Sequence, residues 1–308
     1  MGNLTSTAPL AAPPVPHPRR RGLPRPPPPD DKRLAKPGFS RSGALLGGVT
    51  AVGFTLAGLA TTTPVLWWPA AGCASVFVLW VVRELRGLRR FNQRLIGAAS
   101  SLQGGQLGQA RRDLEKLLDE VDGRPARHAS LVLQMANAAC LEPDVERALS
   151  LLCVVERSAW LKRSRPVIAE QLPFQLARMY ALRGSLDDAR AWFDAGKKRL
   201  RIQPPYVADL CEALLLTRGG QCSDASELLQ KHWTFLERAS SGDAMKAHRV
   251  LLAFCLHQLG REPERVRDLL AAAQPFGDEV RALALPWGEL LAFVREQLPD
   301  EALPPAQQ

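Results

Sequence analysis

Residues 176–193 read LARMYALRGSLDDARAWF, and how these eighteen residues repeat their apolar positions decides the fold. Leu176, Ala177 and Tyr180 fall on one face of a helix, Gly184 interrupts it, and Leu186, Ala189 and Phe193 recur at spacings of three and four. The pattern predicts a helix, a tight turn at the glycine and a second helix returning along the first. Ala177 and Ala189 are small enough to let the two helices cross closely. Leu176, Tyr180 and Phe193 then fill the space around the crossing.

Fainter copies lie on both sides. Ala98, Gly105, Ala110 and Leu114 trace one, and Ala136, Ala148 and Leu152 a second. Ala213, Gly220, Ala225 and Leu229 trace another, followed by Ala253, Leu256, Gly260 and Leu269. With Ala110, Ala148, Ala189 and Ala225 taken as equivalent, the steps are 38, 41 and 36 residues. No stretch from residue 91 onward shows the strict alternation of a strand, so the expected class is all-α.

The segment around Ala177, Tyr180, Gly184, Ala189 and Phe193 resembles a tetratricopeptide repeat (TPR), position by position. The steps are longer and less regular than the family's roughly 34 residues, which leaves a generic α-solenoid as the alternative. The resemblance implies stacked helix pairs over residues 91–298. Leu285 to Leu298, with Trp287 and Phe293, would close the last apolar edge, and Pro299 would end that helix. It also implies a concave groove lined by first helices, one place after each small residue. Those places are polar at Asn137 and Arg178, whose amide and guanidinium suit a peptide backbone or a carboxylate. Solvated helix residues are the plainer reading of both.

Ahead of the repeats the chain changes solvent. Residues 43–82 contain no Asp, Glu, Lys or Arg. Forty such residues are too many for one membrane span and suit two spans, 44–60 and 65–82, joined by Thr61-Thr62-Thr63-Pro64. Trp67 and Trp68 stand where interfacial aromatics are expected. Gly43, Gly47, Gly48, Gly53 and Gly58 would let the first span approach the second. A single span, with Trp67 onward in the interface, is the rival. Residues 1–42 are Pro- and Arg-rich and predict a disordered tail, residues 83–90 a basic juxtamembrane linker and residues 299–308 a second disordered tail. Within the first tail, Arg21-x-x-Pro24-x-x-Pro27 fits the spacing of a polyproline ligand.

The formal charge of +9 is unevenly placed. Residues 1–42 carry eight basic and two acidic side chains, residues 83–94 five basic and one acidic, and residues 43–82 none, so residues 95–308 net −1. Positive flanks around an apolar segment follow the positive-inside rule. A nucleic-acid binder would put its charge on the folded surface, so no nucleic-acid partner is expected. The same flanks put both termini and the repeat domain on the cytoplasmic side of a plasma (inner) membrane. The abundance of Arg, Ala and Pro points to a GC-rich bacterial genome. Lys162-Arg163-Arg165 and Lys197-Lys198-Arg199-Arg201 are helix-end clusters that could also meet anionic lipid headgroups.

Little in the chain suggests chemistry. Cys73, Cys140, Cys153, Cys211, Cys222 and Cys255 form no C-x-x-C pair and read as small buried residues. His17, His128, His232, His248 and His257 show no metal spacing, and phosphate-binding and nucleophile-elbow motifs are absent from the sequence. The expectation is a non-enzymatic, membrane-anchored scaffold or adaptor that binds a protein partner and uses no cofactor or metal. The alternative is a non-catalytic accessory subunit of a membrane enzyme or envelope-assembly complex. In overall plan the chain is similar to bacterial envelope-assembly scaffolds, some of which carry a rubredoxin-like metal knuckle that this sequence lacks.

Overall fold

The computed structural model describes residues 23–35, 67–121, 125–202, 204, 206–239 and 242–298. These are all-helical, with no strand among them. A one-turn helix α1 (Lys32–Ala35) precedes the long α2 (Trp67–Gln103), and then come α3 (Leu107–Glu120), α4 (Pro125–Ala139) and α5 (Val145–Arg157). The short α6 (Ala159–Ser164) leads to α7 (Pro166–Arg183), α8 (Leu186–Arg199), α9 (Tyr206–Arg218) and α10 (Cys222–Lys231). A second short helix, α11 (Trp233–Ala239), leads to α12 (Gly242–Gln258), α13 (Pro263–Ala271), α14 (Asp278–Ala284) and α15 (Gly288–Gln297).

The helices pair as hairpins: α2 with α3, α4 with α5, α7 with α8, α9 with α10 and α12 with α13. The second helix of each hairpin packs on the first helix of the next, and α14 closes against α12. One register recurs. The alanines expected at the crossings are buried in the first helices at Ala98, Ala136, Ala177, Ala213 and Ala253. They are buried again at Ala110, Ala148, Ala189 and Ala225 in the second, twelve residues further on each time.

Four of the hairpins turn at a left-handed glycine: Gly105 (φ 72°), Gly184 (φ 91°), Gly220 (φ 79°) and Gly260 (φ 63°), seven residues after the small residue in each case. At each of them the following N–H bonds back to a carbonyl five residues earlier, as in Ser185 to Tyr180 (3.0 Å) and Gln221 to Leu216 (2.8 Å). The α4–α5 turn instead uses Pro143, with Asp144 capping α5 through the Arg147 N–H at 3.0 Å. The longest step, 41 residues, has a local cause, because α6 is an extra helix inserted between hairpins, as α11 is further along.

Two stretches differ from what composition suggested. Residues 83–90 are not a separate linker but the middle of α2, where Arg and Leu are good helix formers. Glu84 there meets Arg127 of α4 at 3.6 Å. Residues 23–35, assigned by composition to the disordered tail, lie against the helical body, with Leu34 and Pro26 buried. The apolar part of α2 carries Val76, Phe77, Val78, Leu79 and Trp80 exposed in succession, so every side of the helix is bare there. No helix among the described residues is long and apolar enough to cross a membrane. The first expected span and its turn, 44–64, lie outside the described residues, as do residues 1–22 and 299–308.

Candidate functional site

In four of the first helices the position one place after the small residue lines a shared inner face, while Phe254, after Ala253, packs in the core on Trp287 and Phe293. Ala99 and Asn137 line one cavity there, of about 330 Å³. Arg178 and Leu214 line a neighbouring one of about 350 Å³. Asn137 and Arg178 are therefore on the same face but in separate cavities, and Glu279 of α14 lines both. The Arg178 Nη2 reaches the Glu279 Oε2 at 3.0 Å across 101 residues of sequence. Burial works against the Arg178 charge, yet Glu279 beside it raises the guanidinium above its usual range. Arg178 already has a carboxylate partner within the chain.

The larger cavity has an apolar floor of Phe174, Val207, Leu210, Leu214, Leu251 and Leu283, supplied by α7, α9, α12 and α14. Polar groups stand at its walls. Gln175 precedes Arg178 by three residues and so shares its helical face, and the Gln175 Oε1 is buried with no hydrogen-bond partner. His248 of α12 makes no hydrogen bond to another described residue. Burial pushes its pKa down to about 4, aided by the Arg178 charge and opposed by Glu279, so the ring is neutral. Cys211 shares the cavity, but its thiol donates to the Phe174 carbonyl at 3.6 Å and burial raises its pKa to about 12. No thiolate–imidazolium pair is set up there. The face thus offers an apolar trough whose charges are internally paired at Arg178–Glu279, with one unused acceptor, suited to a neutral apolar segment that brings an N–H donor.

The smaller cavity is acidic, with Asp243, Asp278 and Glu279 facing Asn137 and Gln134. Burial raises the Asp278 pKa, with Arg281 pulling the other way and Asp243 and Glu279 adding to the rise. No group of three His, Cys, Asp or Glu side chains able to hold a metal ion occurs among the described residues. The two basic clusters converge on the buried Glu156, which meets Lys162 at 3.1 Å and Arg199 at 3.2 Å. Burial alone would raise the Glu156 pKa, but those two cations hold it below the usual carboxylate value.

Sequence reasoning placed Asn137 and Arg178 on the inner face but missed Gln175, His248 and Glu279. Gln175 was within reach of helical periodicity. Glu279 was not, because it lies outside the repeat pattern and becomes part of the face only through the packing of α14 on α12. The fold and this face define a class, an all-helical protein of paired, successively stacked helices with a lined inner trough. Compared with known protein families, curated proteins and solved structures, the chain gives no match.

Proposed function

We propose that the protein is a membrane-anchored adaptor whose TPR-like α-solenoid holds an apolar segment of a partner protein along its inner face. One observation carries the reading: the trough between α7, α9, α12 and α14, apolar at its floor, electrically neutral at Arg178–Glu279 and His248, and equipped with the unpartnered Gln175 Oε1. The constant spacing of small residues and left-handed glycines supports the repeat assignment. The bare apolar turns of α2, followed by Arg83, Arg86, Arg89 and Arg90, support an anchor whose basic flank lies at anionic headgroups.

Site-specific photo-crosslinking tests it in the full chain in native membranes. Crosslinkers at Gln175, Leu214 and Leu251 should each yield one adduct of the same discrete mass, while a crosslinker at the exposed Asp224 of α10 should not. Equal adducts from Asp224, or none from the trough, would overturn the reading.

A further inference from the structure

Residues 23–35 form a strap against α3, α4, α5 and α8. Leu23, Arg25, Pro26, Pro27 and Pro28 each precede a proline. The chain is therefore driven into the extended, left-handed polyproline form, which has no internal hydrogen bonds and must satisfy its carbonyls elsewhere. It does so at its ends. The indole N–H of Trp192 on α8 donates to the Pro24 carbonyl at 2.9 Å, and Leu23 packs on the core beside it. At the other end the Arg33 carbonyl lies 2.7 Å from the His128 Nε2 of α4, and Leu34 is buried. The Arg33 guanidinium pairs with Asp119 of α3 and with Asp31.

Between those ends Pro26 is buried against the body, and contact then falls away. Pro27 and Pro28 are exposed and bridge a cavity of about 770 Å³ floored by Leu118, Met135, Glu146 and Ser150. The hairpin crossings are packed by their own alanines and leucines, while the strap adds Leu34 to the edge of that core and Leu23 against it. The strap therefore has the character of a bound peptide: preordered, held at its two ends by directed hydrogen bonds and anchored by a few apolar side chains, outside the hairpin crossings themselves.

We propose that the surface running from Trp192 to His128 and Asp119 is a recognition site for polyproline segments, occupied in cis by residues 23–35. Its ligand class is a leucine-proline pair leading a proline run, with a basic residue and a second apolar residue about ten positions on. A tethered ligand acts at an effective concentration of about millimolar, so the cis segment excludes weaker ligands until it is itself loosened.

The test uses the full chain in detergent and a labelled synthetic peptide of residues 20–36, with a scrambled peptide as control. The unaltered chain should bind the peptide weakly. Leu23→Asp with Leu34→Asp, which changes the strap and leaves the surface intact, should tighten binding at least tenfold. Adding Trp192→Phe should weaken it again by about three- to tenfold, the range for one lost hydrogen bond. In the unaltered chain, millimolar peptide should speed hydrogen exchange of residues 30–35, and the scrambled peptide should not. Equal binding by the unaltered and loosened chains, binding by neither, indifference to Trp192→Phe, or unchanged exchange would each overturn the proposal.

Discussion

His248 sits in a helix that composition alone would treat as ordinary packing, yet its ring is the most strongly perturbed imidazole of the inner face. Burial, with Arg178 adding to it and Glu279 opposing, sets its pKa at about 4 against an ordinary 6.5. Between those values the unfolded chain takes up a proton that the folded chain refuses, so stability falls as pH drops from 6.5 to 4 and falls no further on this account below that. The whole window corresponds to about 3 kcal/mol at most. Glu156 and Asp209, held below their usual values by basic partners despite burial, lose their contribution only when pH falls through the acid carboxylate range. Thermal unfolding at pH 7, 5.5 and 4.5 separates the two effects. His248→Gln should match the parent at pH 7 and melt above it at pH 4.5. Parallel profiles for the two proteins would remove His248 from the account. Asn137 and Arg178 could be found from the repeat register, because one helix suffices to place them. The perturbation of His248 could not, since it needs α7, α12 and α14 together.

At the scale of elements, the same residue type acts in opposite directions according to the backbone it occupies. Gly220 ends α9 at φ 79° with open space around its α-carbon, so a methyl group there meets no neighbour and only the left-handed backbone resists it. Gly97 lies inside α2, also with open space, where glycine only adds freedom to the unfolded chain. Gly220→Ala should therefore destabilise the protein by about 1 kcal/mol, and Gly97→Ala should stabilise it by roughly 0.5 to 1 kcal/mol. Denaturant melts of the two variants should show opposite shifts in midpoint with unchanged slope. A destabilised Gly97→Ala would mean that the face of α2 is covered. The turn glycines and buried alanines were legible because local chemistry demands them: only a small residue fits a close crossing and only glycine takes the turn without strain. Two features were illegible for the converse reason. Residues 83–90 look like a linker by charge but satisfy helix propensity, and α2 runs through them unbroken. The proline-rich strap looks like a tail because its order comes from Trp192, His128 and Asp119, which lie 86 to 168 positions from their strap partners.

For the whole molecule, the strap constrains the ways in which the apolar segment could enter a membrane. The strap ends at Ala35 against the first two hairpins, and α2 re-enters that body with Phe91 and Ala98 buried. Both ends of the stretch between them are thus fixed to one folded unit, and a single crossing of a hydrocarbon core about 30 Å thick would put them on opposite faces. An even number of crossings is required if the segment enters the membrane at all, which favours two spans over the one-span rival. The prediction concerns sidedness. Reporter fusions at residues 5 and 100 should both read cytoplasmic and a fusion at residue 63 external, while Arg33→Cys with Asp119→Cys should be joined in intact membranes by a bifunctional thiol crosslinker spanning the reach of the parent ion pair. Opposite sides for 5 and 100, together with no crosslink, would mean that the strap is not docked and that the chain crosses once. A cytoplasmic signal at all three fusion sites, with the crosslink retained, would keep the docked strap and leave the apolar segment lying on the membrane instead of spanning it.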